Sequence, residues 1–233
     1  MAQVFKLYRL QQLDSQMDQI NQRLITIQRE IGDKTEILLI QKELDQSKLE
    51  LNKKQSTVKD VEEQILSLRI KLEQNQSTLY GGKVSNPKEL QDLQNEAAAI
   101  NRQIAGLEDQ QLEKMLETEE IQSQYDELQA TLEESIAKFN TKKQILNEEK
   151  AGLEQELDNL QVARMPIAQS TPEDELQIYE SIRIKRGGIA VTTVIDQACA
   201  ACGSEINSVL LQHAKSPNHI AYCDTCGRII YAG

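Results

Sequence analysis

Histidine is scarce in this chain of 233 residues: there are two, His213 and His219, and both lie near the carboxyl end. General acid–base chemistry leans most often on a positioned imidazole. No phosphate loop, nucleophile elbow or general-base constellation appears elsewhere, and the many carboxylates follow the spacing of solvated helix faces. The chain therefore reads as no enzyme. Aromatic residues make up only 3%, tryptophan is absent, and before residue 165 the one proline is Pro87. With abundant Gln, Glu, Leu, Lys, Asn and Ile, this composition argues for long helices rather than a globular core. Long apolar runs are missing too, so no segment approaches a membrane span. The amino terminus, Met-Ala-Gln-Val-Phe-Lys, has no apolar core of signal-peptide length, which predicts a reducing cytoplasmic setting and argues against structural disulfides. Positive charge is also in deficit. The formal net charge is -11, and residues 166–233 hold five Lys/Arg against seven Asp/Glu. A protein that neutralises phosphates usually shows a basic face.

What the chain does have is four cysteines arranged as two Cys-x-x-Cys pairs, Cys199/Cys202 and Cys223/Cys226, about twenty residues apart as in a zinc ribbon. A tetrahedral zinc ion takes four ligands, and a two-residue spacer lets both thiolates of a pair curl toward one point. Gly203 and Gly227 follow the second cysteine of each pair, where a tight turn calls for positive φ. No thioredoxin-like βαβ unit surrounds either pair, so a redox role is disfavoured. One structural Zn2+ held by Cys199, Cys202, Cys223 and Cys226 is the expectation. His213 and His219 read as loop histidines, since four thiolates already fill the shell.

The remainder repeats in heptads. Leu10, Met17, Leu24, Ile31 and Leu38 recur every seven residues with Leu13, Ile20 and Ile27 between them. The phase then slips by one residue and resumes as Leu44, Leu51, Val58, Ile65, Leu72 and Leu79, predicting a local unwinding near Ile40. A second seam runs from Leu90 through Ala97, Ile104, Tyr125, Leu132, Phe139, Leu146 and Leu153 to Leu160, interrupted by Gln111, Lys114 and Thr118. Between the seams, Gly81 and Gly82 end one helix. Asn86 caps the next, with Pro87 at its first position. Two helices of about 75 to 80 residues, each roughly 115 to 120 Å long, would pair as an antiparallel hairpin turning at about 80–87. The acidic stretch Glu108 to Glu134 would then face Lys34, Lys42, Lys48, Lys53, Lys54 and Lys59.

The expected fold is mainly α, a long antiparallel coiled-coil hairpin over 1–165 followed by a small β-rich zinc ribbon. Residues 166–171, containing Pro166, read as a hinge. Residues 172–233 would hold a short helix capped by Thr171 and ending at Gly187-Gly188, a strand over 189–195, and short strands over 220–222 and 229–231. So small a domain has little core, so its metal would supply much of its folding free energy, on the order of 10 kcal/mol.

The turn Tyr-Gly-Gly-Lys-Val-Ser-Asn-Pro-Lys-Glu-Leu, the Leu107-Glu108-Asp109 segment and the terminal Cys-Gly-Arg run together resemble a bacterial family, the C4-type zinc-ribbon coiled-coil proteins described as predicted nucleic-acid-binding. The resemblance spans essentially the whole chain. It implies a non-enzymatic regulator or adaptor of the bacterial cytoplasm. Some members are associated with an alternative sigma factor, with flagellar or type III secretion components, or with messenger RNA.

Two functions stay open. One is an adaptor whose coiled coil and ribbon bind protein partners, with Tyr80, Lys83 and Lys88 at the exposed turn as candidate contacts. The other is an RNA- or DNA-binding regulator using Arg183, Lys185, Arg186, Lys215 and Arg228 around the ribbon. Each hairpin can satisfy its own seam and so need not dimerise, and no membrane partner is expected.

Overall fold

The computed structural model describes residues 3–82, 84–216 and 219–233. Along the chain lie α1 (Gln3–Gly32), α2 (Thr35–Tyr80), α3 (Pro87–Gln169), α4 (Glu173–Lys185), β1 (Val191–Ile195), β2 (Ala198–Cys199), α5 (Ser208–Lys215) and β3 (Ile229–Tyr231). They form two units, Lys34–Thr141 and Met1–Asp33 with Lys142–Gly233, and α3 contributes to both.

In the Lys34–Thr141 unit, α2 pairs with the first part of α3. The direction is read from the cross-links: Lys54 bonds Glu117 at 2.6 Å, Arg69 bonds Glu108 at 2.6 Å and Asn75 donates to Glu96 at 2.8 Å. Numbers rise along α2 as they fall along α3, so the helices are antiparallel. The predicted seam is present: Leu44, Leu51 and Ile65 are buried, and Ile65 packs with Ile100 and Ile104 among Val61, Leu68, Leu72 and Leu107. Of the lysines expected to face the acidic stretch, Lys54 makes the pair described here; Arg69 supplies the other cross-helix bridge. Asn86 caps α3 as expected, accepting from the Lys88 N–H at 3.0 Å. One polar seam position is buried. Asn75 is buried with its Oδ1 unbonded, an arrangement that lowers stability but fixes register.

The phase slip falls earlier than the heptads suggested. The helix stops at Gly32 and restarts at Thr35, not near Ile40. Glycine and aspartate are poor helix formers, so Gly32-Asp33 is the cheaper place to break. Leu38, expected in the first seam, is consequently 65% exposed.

In the other unit, α1 runs antiparallel to the last part of α3, linked by Lys142 to Glu30, Arg23 to Glu149 and Arg164 to Asp14. A buried cluster joins Val4, Leu7 and Leu10 of α1 to Tyr179 of α4, Ala190, Val191 and Ile229. The residues read as a hinge, 166–171, are helical as far as Gln169, with Pro166 inside α3. Pro166 forfeits its own i→i−4 bond, and Ile167 and Ala168 beyond it pack on the buried cluster that holds the helix end. Thr171 does not cap α4. Its hydroxyl donates to the Ile167 carbonyl at 2.8 Å, and Pro172 precedes α4 without a side-chain cap. The end of α4 is a Schellman turn, with the Gly188 N–H on the Arg183 carbonyl at 2.9 Å.

The sheet order is β2-β1-β3, with β1 antiparallel to β2 and parallel to β3. The strand expected over 189–195 is β1, and that over 229–231 is β3. Residues 220–222 contribute a single bridge, Tyr222 to Ile229. Helix α5 has no counterpart among the expected elements. Asn207 caps it, accepting from the Leu210 N–H at 2.7 Å, and Leu210, Leu211 and Ala214 pack into the second core.

Candidate metal centre

β2 carries Cys199, the turn after it carries Cys202, and the turn before β3 carries Cys223 and Cys226. Each pair closes on itself through the same bonds. Gly203 N–H donates to the Cys199 carbonyl at 2.8 Å and Gly227 N–H to the Cys223 carbonyl at 2.7 Å, and both glycines have positive φ, 74° and 67°. A substituted residue would be strained at either position. The return bonds match as well: Cys199 N–H reaches the Ser204 carbonyl at 2.9 Å and Cys223 N–H the Arg228 carbonyl at 2.8 Å. The two knuckles are built alike.

The knuckles face each other. Cys199 and Cys226 sulfurs are 3.8 Å apart, Cys202 and Cys223 sulfurs 3.7 Å, and all four lie within 4.8 Å of one another. Four thiolates each about 2.3 Å from a tetrahedral ion would sit about 3.8 Å apart. The cluster therefore fits a metal ion. None of the four cysteines is in a disulfide. Cys199, Cys223 and Cys226 are buried among Ile206, Ala214, Ala221 and Ile230, whereas Cys202 is exposed.

Environment separates the thiols. Ser204, through its hydroxyl and N–H, brings Cys202 down to about 6, while burial pushes Cys223 up to about 12. The Thr192 hydroxyl lies 3.8 Å from the Cys199 sulfur. At the exposed Cys202, the Ser204 hydroxyl 3.4 Å from the sulfur gives thiolate charge a partner.

Of the five basic residues near this centre, two are tied to partners within the fold. Arg183 turns inward, bonding Asp18 at 2.6 Å and lying 3.8 Å from Asp14. Arg228 gives its guanidinium to the Ile189 and Arg186 carbonyls, both at 2.9 Å. Lys185, Arg186 and Lys215 are exposed. His213 and His219 are exposed as well, their rings 6.1 Å apart. At the turn between α2 and α3, Tyr80 is 80% exposed and Lys88 is exposed, while Lys83 lies outside the described residues.

Sequence reasoning missed the groups that fasten this domain to α1. Gln11 accepts from the N–H groups of Ala190 and Val191, and donates to the Gly188 carbonyl at 2.8 Å. Asp14, almost fully buried, accepts from Arg164 at 2.6 Å and from the Tyr179 hydroxyl at 2.6 Å. Tyr8 stacks on Tyr231 with centroids 4.5 Å apart. The available signal was a second stripe on α1, Val4, Leu7, Gln11, Asp14 and Asp18, at helical spacing beside the seam.

Residues 10–187 match the CT398-like coiled coil hairpin domain. The chain belongs to that family. Among proteins similar to this CT398-like hairpin chain is Rv2229c of Mycobacterium tuberculosis strain H37Rv, 28% identical over 171 residues, which are 72% of this chain and 69% of that protein. Two solved structures share the fold. The Mycobacterium smegmatis protein has a TM-score of 0.80 at 20% identity, covering 100% of this chain and 99% of that one. CT398 of Chlamydia trachomatis has 0.75 at 17%, covering 98% and 96%. Among the described residues of this CT398-like chain, no helix is long and apolar enough to cross a membrane.

Proposed function

We propose that this chain is a non-enzymatic cytoplasmic adaptor or regulator that binds protein partners through its coiled coil and its four-cysteine domain, the latter a zinc ribbon built on one structural Zn2+. An all-sulfur tetrahedral site suits zinc, and four protein ligands leave no open position for substrate or water. The metal would organise a fold rather than perform a reaction. The observation that carries the adaptor reading is the commitment of Arg183 and Arg228 to internal partners. In a chain of net charge -11, that leaves Lys185, Arg186 and Lys215 as the candidate phosphate contacts of the five, too few for strong counterion release.

Electrophoretic shifts of the purified protein on single-stranded RNA and on duplex DNA across a salt series test the choice. No shift at low salt is the expected result. Submicromolar binding that weakens steeply with salt would replace the adaptor by a nucleic-acid-binding regulator. Elemental analysis should return one zinc per chain, and capture from the native cell followed by mass spectrometry should recover a protein partner.

A further inference from the structure

Over one stretch of α3 the usual arrangement of a coiled coil is inverted. Gln111, Lys114 and Thr118 occupy the seam, half-buried, while Leu112 is 61%, Met115 40% and Leu116 67% exposed. The polar seam residues are satisfied there: Gln111 donates to Glu62 at 3.1 Å, Lys114 pairs with Glu117 and the Thr118 hydroxyl donates to the Lys114 carbonyl at 2.7 Å. Leu112, Met115 and Leu116 sit at i, i+3 and i+4 and so share one flank of the helix. Met115 also lines a groove of about 290 Å³ with Thr118 and Glu119 of α3 and Gln55, Val58, Lys59 and Glu62 of α2. An apolar strip turned to water beside an apolar groove marks a binding surface.

Charge selects the occupant. Asp109, Glu113, Glu119 and Glu120 surround the strip in sequence, and among the described residues none has an ion-pair partner. Lys59 is the cation lining the groove. A second copy of this chain would bring the same carboxylates against themselves. We propose that the Leu112–Met115–Leu116 face is a docking site for a basic amphipathic helix of a partner protein. The leucines and Met115 receive its apolar side, and the surrounding acids receive its lysines or arginines. The assignment rests on the adaptor reading and names the chemistry of one partner.

The test is fluorescence anisotropy of the full-length protein with two labelled Leu/Lys peptides of identical composition. One gathers its leucines on a single helix face; the other scatters them. Because the charge is the same, a preference for the first reads apolar docking alone. The expected result is a preference on the order of tenfold or more. It should vanish in Leu112→Gln/Leu116→Gln, which keeps helix-forming residues at exposed positions, with circular dichroism confirming the fold. In Glu119→Lys/Glu120→Lys both peptides should bind more weakly. Equal binding of the two peptides, or a preference that survives the glutamines, overturns the proposal. So does a dimer in sedimentation equilibrium that the glutamine pair dissociates, since a second copy then covers the face. Partner capture by the whole chain tests the adaptor reading separately from this face.

Discussion

Asp14 gathers side chains of α3 and α4 onto α1. Its carboxylate takes Arg164 at 2.6 and 3.3 Å and the Tyr179 hydroxyl at 2.6 Å, and Arg183 stands 3.8 Å away. Burial and the adjoining carboxylate raise Tyr179 far above its ordinary range, so the phenol keeps its proton and remains a donor. Removing the acid leaves two guanidinium groups short of a partner in a partly dry setting. Asp14→Ala should therefore cost about 3 to 5 kcal/mol, and Tyr179→Phe about 1 to 3 kcal/mol, measured by urea unfolding. Glu175 is the contrasting case. It is buried with Oε2 unbonded, and burial raises its carboxyl above the ordinary 4.5. The folded state thus holds this proton more tightly than the unfolded one, so the group's contribution falls as pH rises from the ordinary value through the raised one. Glu175→Gln should raise the melting temperature at neutral pH, and the gain should disappear below pH 4.5. A gain that persists in acid would show that charge burial is not its origin.

At the scale of elements, the legible parts are those governed by local rules. Leu44, Leu51 and Ile65 repeat at seven and pack as a seam. Asn86-Pro87 starts α3 where a cap and a fixed φ predict it. Asn86→Ala should cost about 1 kcal/mol and speed hydrogen exchange in the first turn of α3. The cysteine cluster was legible because ligand spacing is short-range chemistry. Other features depend on residues far away. Pro166 stays helical because Ile167 and Ala168 are held by a cluster that includes Val4 and Leu7. Gln11 and Asp14 find partners more than 140 residues downstream. No periodicity in α1 reports them, beyond a stripe that looks like surface. α5 is only eight residues long, too short for a clear period, so its cap at Asn207 was the one usable cue. The break at Gly32 has a compositional cue in Gly32-Asp33, but the heptad phase that includes Leu38 runs straight across it.

At the scale of the whole molecule, the two kinds of core differ in what they need. The seam around Ile65, Ile100 and Ile104 is closed by aliphatic side chains within its own unit. The core around Cys199, Cys223 and Cys226 has three thiols among its seven buried members, with two alanines and two isoleucines as the rest. Bringing four thiolates together without a cation is unfavourable, and so few apolar atoms offset little of the ordering entropy. Metal binding there would supply folding free energy. Ligands must also lose protons to bind, so acid competes with the metal for all four sulfurs. Chelation should therefore proceed more readily as pH falls, releasing one metal per chain. It should melt β1, β2, α5 and β3 while leaving most of the helical signal, because α2 and α3 are held by their own seam. Circular dichroism at 222 nm would then change little, while the near-ultraviolet signal of Tyr222 and Tyr231 collapses. Cys226→Ser should reproduce that state without chelator. Loss of the helical and tyrosine signals in one step would mean that the cysteine domain supports the α2–α3 pair, whose Ile65 seam shares no residue with the cysteine core.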